Sequence, residues 1–215
     1  MKIFIDFDGV IFNTELFKKR LIKFFSENGI SKKDFDKSYQ YFKNQKIPYS
    51  VIKHLKLLFF LKKIKKKCRY NDILRPYIFK DAEIFLKSFS KNNLYLLSYG
   101  DLNFQKQKIK GAKISDYFRR IIITNKNKAE ILKQIIKKDK FGKLEKIIFI
   151  DDQPRNIEEV SSIRNITTIQ LIRPPNKSIL KFSKKADFKV KNFRKIREII
   201  QMGCFFVGIL VILFQ

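Results

Sequence analysis

Cysteine is scarce in this 215-residue chain, and its two cysteines lie far apart in sequence. Cys68 and Cys204 form no C-x-x-C pair, which argues against a disulfide framework and against a zinc site. The scarcity fits a reducing compartment, so we expect a cytoplasmic location. A signal peptide is not expected, because Asp6 and Asp8 interrupt the first apolar run.

Histidine and acidic residues are also few. His54 is the single histidine, and its lysine-rich helical segment predicts a surface or packing residue rather than a ligand. Only 20 Asp and Glu stand against 48 Lys and Arg, which gives a formal net charge of +28. Such an excess attracts polyanions such as nucleic acid. Because lysine is spread through nearly every segment, the codon bias of an A/T-rich genome is the alternative explanation.

Apolar residues make up 45% of the chain, enough for the core of one domain with a modest insertion. Short apolar runs predict five buried strands, at residues 2–5, 94–97, 121–123, 147–150 and 166–172. These runs are continuous rather than alternating, which is typical of parallel strands covered on both faces. Helix-like segments separate them from residue 94 onward. The pattern therefore predicts an α/β fold with a doubly wound parallel sheet.

Caps and periodicity predict the helices between these strands. Residues 101–110 form one that stops at Gly111, a plausible C-cap. Lys128–Lys138 carries apolar residues at helical spacing, and Pro154 opens the next helix at a position that favours proline. An edge strand at 186–190 and a helix at 192–201 complete the predicted core.

The first two predicted strands are much further apart than an ordinary crossover requires. The intervening sequence predicts four helices. Three lie at 15–27, 48–67 and 79–90, and another begins after a capping box at Ser31. We therefore expect an α/β core of residues 1–14 and 76–200, with a helical cap of residues 15–75.

The C-terminal tail, residues 201–215, is apolar all round. Its uninterrupted apolar run is shorter than the roughly 20 residues that a membrane-spanning helix needs. Three interpretations stay open: a packed helix, a tail that associates with a membrane, and an unusual end of the reading frame.

Four aspartates follow two of the predicted strands at the points where the strands end. Asp6 and Asp8 follow the first strand, and Asp151 and Asp152 follow the fourth. Ligands of open parallel sheets bind at the carboxyl ends of the strands. Carboxylates brought together there repel one another, and a hard divalent cation relieves that repulsion. Mg²⁺ is the usual choice where phosphate is also bound.

Two further motifs offer groups for a phosphate. Ser98 ends the second predicted strand and precedes a tight turn, where a hydroxyl and backbone amides can hold phosphate oxygens. Lys126 or Lys128, between the third strand and a helix, offers a positive charge.

In this order the motifs resemble the haloacid dehalogenase (HAD) superfamily, in its phosphatase-like branch with an inserted helical cap. The resemblance covers the chain to about residue 200, and the string FIDDQPRNI is similar to the common form of the family's last motif. The matching residues are Asp6-Phe7-Asp8-Gly9-Val10 with Thr14, Ser98, Lys128 and Asp151-Asp152.

The resemblance implies a Mg²⁺-dependent phosphomonoester hydrolase that acts on a small phosphorylated metabolite. Asp6 would be the nucleophile, and Asp8 would be the general acid and base. The remaining roles would be phosphate binding by Ser98, Tyr99 and Lys128, with Lys126 as the alternative lysine; metal binding by Asp6, the Asp8 carbonyl and Asp151; and support by Gly9, Thr14 and Asp152.

Asp8 favours phosphoryl transfer over dehalogenation, because the dehalogenase branch lacks this second acid and a halide leaves without a proton. Two alternatives stay open. One is a phosphatase that acts on nucleic-acid ends, and the other is a polyanion-binding protein of this fold without catalysis.

Overall fold

The computed structural model describes residues 1–61, 77–142, 144–173 and 181–212, and from residue 203 onward it describes only the backbone of the last helix. A six-stranded parallel sheet lies at the centre of these residues, in the order β3-β2-β1-β4-β5-β6. Its strands are β1 (Lys2–Ile5), β2 (Leu94–Tyr99), β3 (Arg120–Thr124), β4 (Ile147–Asp151), β5 (Ile166–Leu171) and β6 (Phe188–Val190). In register, Ile3 of β1 lies opposite Leu94 of β2 and Ile148 of β4. The predicted parallel α/β sheet is confirmed.

Helices precede and connect the strands, and most begin where the sequence predicts. They are α1 (Thr14–Glu27), α2 (Lys32–Asn44), α3 (Val51–Phe60), α4 (Lys80–Lys87), α5 (Leu102–Gly111), α6 (Lys128–Lys138), α7 (Pro154–Val160) and α8 (Phe193–Ile212). Ser31 caps α2 and Asp101 caps α5, each accepting a hydrogen bond from a first-turn backbone amide. Such caps are local, which is why the sequence located these helix starts well.

Apolar side chains pack against both faces of the sheet. Ile3 and Ile5 belong to one buried cluster, which includes side chains of α4 and α8. Phe4 belongs to the other, with side chains of α6 and α7. Because successive strand residues point to opposite faces, covering both faces requires the continuous apolar runs seen in the sequence.

Helices α1 to α3 lie between β1 and β2 in the chain, and residues of α1, α3 and the loop before α3 contact the start of α5. Lys53 of α3 forms a 2.8 Å ion pair with Asp101, and the ring centroids of Phe17 and Tyr49 lie 6.1 and 6.0 Å from that of Phe104. The division into a core (1–14 and 76–200), a cap (15–75) and a tail (201–215) stays a prediction. Residues 62–76, with the end of the predicted helix 48–67, lie outside the described residues.

Several helix ends differ from the prediction, and α4 stops at Lys87 rather than at residue 90. Gly111 is the last residue of α5 rather than its cap, and the positive φ of 55° falls on Lys113 after the buried Ala112. Helix α8 continues past Gln201 as far as Ile212. Within the described ranges, no helix has the length and apolar composition needed to cross a bilayer.

His54 is fully buried between α2 and α3. The packing role that the sequence allowed is thus correct, and the surface position is wrong. The ring nitrogens lie 2.6 Å from Ser38 Oγ and 3.0 Å from Tyr49 Oη. Both hydrogen-bonding groups of the imidazole are therefore satisfied inside an apolar environment.

Candidate functional site

Three of the four strand-end aspartates meet in one buried cluster. One carboxylate oxygen from each of Asp6, Asp151 and Asp152 lies within 4.8 Å of those of the other two. The Asp6 amide donates a 2.9 Å hydrogen bond to the carbonyl of Ile150, which continues the pairing of β1 with β4. The strand order runs from β1 outward to β3 on one side and from β4 outward to β6 on the other, so it reverses between β1 and β4. Open α/β sheets bind their ligands at such a point.

Lys128 joins two of these carboxylates. Its Nζ lies 2.6 Å from Asp6 Oδ1 and 2.7 Å from Asp151 Oδ2, in a buried position at the start of α6. Burial acts to lower the pKa of Lys128, but the two carboxylates outweigh it and raise the pKa above its ordinary value. Lys126 is exposed and lines a neighbouring cleft. Of the two candidate lysines, Lys128 is the one in contact with the acidic cluster.

One lysine does not balance three buried carboxylates. Burial raises the pKa of Asp6 to about 7, with Lys128 opposing and Asp151 reinforcing the rise. Burial and the two neighbouring carboxylates raise the pKa of Asp152 to about 8. Asp152 Oδ1 is buried and has no hydrogen-bond partner among the described residues. A hard divalent cation fits this donor set, because it prefers carboxylate oxygens and would replace the protons.

Asp151 is held by residues that the sequence analysis did not single out. Asn156 Nδ2 lies 3.0 Å from each carboxylate oxygen, and the Gln153 amide donates to Oδ1 at 2.8 Å. With Lys128 on Oδ2, both oxygens of Asp151 have fixed partners. The first turn of α7 therefore fixes the orientation of this carboxylate. Both residues belong to the string FIDDQPRNI, which was the available signal.

Gly9 allows the turn after β1 to approach the acidic cluster. Its φ is +78°, and a Cβ at this position would lie 2.5 Å from Asp152 Oδ2. Glycine is therefore required both by the backbone conformation and by the close carboxylate. The Gly9 amide donates to Thr14 Oγ1 at 3.0 Å, and that hydroxyl donates to Asp8 Oδ1 at 3.0 Å.

Asp8 lies outside the acidic cluster and has its own partners. Gln105 Nε2 donates to Asp8 Oδ2 at 2.6 Å, and Lys108 forms an ion pair with Oδ1. Burial acts to raise the pKa of Asp8, but Lys108 and the hydrogen bonds from Gln105 and Thr14 outweigh it and lower the pKa. The two aspartates of the D-x-D motif therefore have opposite electrostatic environments.

The predicted phosphate-binding residues of β2 lie next to Gln105. Ser98 is buried and its Oγ lies 3.2 Å from Gln105 Nε2, while the Tyr99 carbonyl accepts from the same nitrogen at 3.0 Å. The Tyr99 side chain is half exposed. Ser98 and Asp8 are thus linked through one amide, and the phosphate-binding role of Ser98 and Tyr99 stays a prediction.

Gln105 and Lys108 were missed in the sequence. Both lie in the buried stripe of α5, with Phe104 and Ile109 as their apolar neighbours. A glutamine and a lysine inside an apolar helical stripe were the signal. With 48 Lys and Arg in the chain, one more lysine did not stand out.

Comparison with known proteins identifies the fold. No family model matches the sequence, and no curated protein matches it either. Among solved structures, a haloacid dehalogenase-like hydrolase from Burkholderia xenovorans matches with a TM-score of 0.69 and 17% identity, over 91% of this chain and 94% of that one.

Two other solved structures match over similar lengths. A HAD-hydrolase from Bacillus subtilis, solved with magnesium bound, has a TM-score of 0.59 and 12% identity, over 92% of this chain and 97% of that one. L-2-haloacid dehalogenase from Xanthobacter autotrophicus has a TM-score of 0.65 and 11% identity, over 93% and 98%. The predicted HAD-like hydrolase fold is confirmed, and identities this low show the fold alone.

Proposed function

We propose that this chain is a Mg²⁺-dependent phosphomonoester hydrolase of the phosphatase-like HAD branch. The observation that carries the proposal is Asp8, a second carboxylate placed two residues after Asp6 and held apart from the acidic cluster by its own partners. A phosphate ester needs such a group, because its leaving oxygen must be protonated. A halide leaves without a proton, so dehalogenation gives Asp8 no role.

The proposed reaction has two steps. An Asp6 oxygen attacks phosphorus and forms an aspartyl-phosphate. Asp8 is ionised in the free protein, so it takes up the proton that the substrate's phosphate monoanion brings and passes it to the departing alcohol oxygen. Asp8 then removes a proton from water, which attacks the phosphorus and releases inorganic phosphate and the Asp6 carboxylate. At the end, Asp8 gives the proton taken from water to the released phosphate, its carboxylate is ionised again, and water has been split between the alcohol and the phosphate.

Other residues of the site would bind the phosphoryl group and orient the nucleophile. Lys128 contacts Asp6 directly, so it can orient that carboxylate and neutralise charge next to the transferring group. Ser98 and the Tyr99–Gly100 turn would supply the hydroxyl and amide donors. Gly9 and Thr14 support the turn that carries Asp8.

Asp6, Asp151 and the Asp8 carbonyl would hold the metal ion, and Asp152 has a free oxygen for it or for one of its waters. When bound, Mg²⁺ would balance the negative charge of the nucleophile and the phosphate. The buried acidic cluster and its raised carboxylate pKa values support a divalent cation here.

A small substrate is favoured by the space beside the site. A cleft of about 510 Å³ extends from the Gly100 turn to residues of the predicted cap and of the β3 end. It is lined by Pro48, Lys53, Gly100, Asp101, Leu102, Ile123, Thr124, Asn125, Lys126 and Ile131. Helices over the strand ends would exclude bulky ligands, whereas a compact leaving group fits a cleft of this size.

The net charge of +28 supports a second substrate class, phosphorylated nucleic-acid ends. One panel distinguishes the two. Purified protein with Mg²⁺ is assayed on small sugar phosphates, nucleoside monophosphates and 5′- or 3′-phosphorylated oligonucleotides, with Asp6→Asn and EDTA as controls. We expect phosphate release from small esters that both controls abolish. Folded protein with no release from any member would refute the proposal.

A further inference from the structure

Asp8 is held by side chains of α5 that no motif of the sequence includes. Gln105 Nε2 donates to Oδ2 at 2.6 Å, and Lys108 Nζ pairs with Oδ1. Thr14 Oγ1 donates to the same Oδ1 at 3.0 Å. Both carboxylate oxygens of Asp8 therefore have fixed donors, and the side chain is confined to one orientation.

Lys108 is buried, so its ammonium group would be costly to leave without the Asp8 carboxylate. The residue is 5% exposed. A buried ammonium without a partner is costly, and the Asp8 carboxylate supplies that partner. Aromatic rings surround the Nζ at 4.8 to 5.6 Å from their centroids, namely those of Phe7, Phe12, Phe17 and Phe104. This environment leaves the lysine little freedom to turn toward a substrate phosphate.

Gln105 has its amide nitrogen surrounded by acceptors. In addition to Asp8 Oδ2, the Ser98 hydroxyl lies 3.2 Å away and the Tyr99 carbonyl 3.0 Å away. The Asp8 carboxylate and the Tyr99 carbonyl can only accept, and these two acceptors assign the atom between them as the NH₂ group. Gly100 makes room for it, since a Cβ at this position would lie 2.9 Å from Nε2.

The two oxygens of Asp8 differ in how they are occupied. Oδ1 accepts from both Thr14 and Lys108, which uses both of its lone pairs. Oδ2 accepts from Gln105 alone among the described residues, so one lone pair remains for a proton. The Asp8 side chain is 29% exposed, so a leaving group can reach this carboxylate.

Building on the phosphatase function, we propose that Lys108 and Gln105 are positioning residues that hold Asp8 so that Oδ2 is its proton-transferring oxygen. They act through Asp8 and do not touch the substrate. Loss of Gln105 also removes its contact with Ser98, which acts on every substrate alike. Loss of either residue leaves Asp6, Asp151 and Lys128 in place but lets the Asp8 carboxylate turn away from the leaving oxygen. The loss should therefore depend on how much the leaving group needs a proton.

The test compares two substrates in Lys108→Met, which keeps the length of the side chain inside the aromatic cage. Glycerol 2-phosphate needs a proton on its leaving oxygen, whereas p-nitrophenyl phosphate does not. The quantity measured is kcat/KM, which reports the steps through formation of the aspartyl-phosphate and excludes its common hydrolysis. We expect kcat/KM to fall roughly tenfold or more for glycerol 2-phosphate and less than about threefold for p-nitrophenyl phosphate.

Two controls accompany the variant. Lys110→Met changes an exposed lysine of the same helix and should leave both rates unchanged, and Lys108→Arg should restore part of the glycerol 2-phosphate rate. If Lys108→Met does not fold, Gln105→Met is tested in its place by the ratio of kcat/KM for the two substrates. Loss of the Gln105 contact with Ser98 would affect both substrates alike and would leave this ratio unchanged.

The outcomes separate this proposal from the function on which it rests. A wild-type protein that cleaves neither of these substrates and no ester of the panel described above removes both proposals. A wild-type protein that cleaves both substrates, with the two rates lowered equally or unchanged in the variant, keeps the phosphatase and overturns the positioning role. A selective loss with the alkyl phosphate supports both.

Discussion

Two lysines are buried in the site, and each forms ion pairs with different aspartates. Lys128 contacts Asp6 and Asp151, while Lys108 contacts Asp8. Both are nearly inaccessible to solvent. Burial of an ammonium is tolerated only with paired carboxylates, so each lysine and its partners form one unit. Loss of either lysine should lower stability or catalysis more than loss of an exposed lysine does.

Replacement of Lys128 by Met should destabilise the metal-free protein by about 3 kcal/mol, because two buried carboxylates lose their cation. Urea denaturation at pH 7 in EDTA measures this change. Lys126→Met, two residues away and exposed, is the matched control and should change stability by less than about 0.5 kcal/mol. Equal effects of the two variants would mean that the Lys128 contacts contribute nothing.

Gly9 and Gly29 form a natural pair for testing the close approach at the site. Their φ values are +78° and +81°, but a Cβ clashes only at Gly9, where Asp152 Oδ2 would lie 2.5 Å away. At Gly29 nothing lies within 4 Å. Gly29→Ala should thus cost about 1 kcal/mol for the backbone alone. Gly9→Ala should cost more and should abolish turnover, because Asp152 must move.

Stability measurements and phosphatase assays on both glycine variants check this prediction. A Gly9→Ala protein as stable and as active as Gly29→Ala would show that the turn after β1 has room that the structure does not indicate. Such a result would also remove the reason for a glycine at this position of the motif.

At the scale of elements, a hydrogen-bonded chain joins α2 to α3 through His54. Ser38 Oγ lies 2.6 Å from the Asp34 carbonyl and 2.6 Å from His54 Nε2. A hydroxyl has one hydrogen, so Ser38 donates to the carbonyl and accepts from the imidazole N–H. Nδ1 then accepts from Tyr49 Oη at 3.0 Å. The neutral imidazole fits this chain, whereas a second proton on Nδ1 would displace the hydrogen that Tyr49 Oη donates.

Stability should consequently fall in mild acid. Burial lowers the pKa of His54 to about 4, from an ordinary value of 6.5. The unfolded chain therefore takes up a proton first, and stability is lost as the pH falls from 6.5 to about 4. The loss approaches roughly 3 kcal/mol. The neighbouring Tyr39 and Tyr49 stay neutral throughout, since burial raises the pKa of each.

His54→Phe isolates this effect, because it keeps an aromatic ring in the packing and removes the titrating group. Urea denaturation of both proteins at pH 7 and pH 4.5 gives the comparison. The variant should be less stable at pH 7, where it loses two hydrogen bonds, and should lose less stability on acidification. Equal losses in the two proteins would assign the acid sensitivity to other groups.

The elements also show what the sequence could predict. Strands β1 to β5 were located because burial against helices requires an uninterrupted apolar run, and the strand ends placed Asp6 and Asp151 together. Gln105 and Lys108 could not be found in this way, because their role depends on contacts with Asp8 from a helix about 100 residues later in the chain. The end of α8 was missed because Gly203 does not stop the helix.

At the scale of the whole molecule, a strongly basic chain concentrates carboxylates at one point of its sheet. The net charge is +28, yet Asp6, Asp151 and Asp152 are buried together where the strand order reverses. Four aspartates at that edge are retained in a chain with only 20 acidic residues. A metal-assisted reaction on a phosphate accounts for this arrangement, and a fold that merely binds polyanions does not require it.

The most direct test of the central claim is to trap the phosphoryl group on Asp6. Protein with Mg²⁺ is mixed with a radiolabelled phosphomonoester that it hydrolyses, quenched in acid during turnover, and digested for peptide mapping. The label should be found on the peptide that contains Asp6, should be released by hydroxylamine as an acyl phosphate is, and should be absent with EDTA or in Asp6→Asn. Turnover without protein-bound label, or label that persists in Asp6→Asn, would contradict nucleophilic catalysis by Asp6.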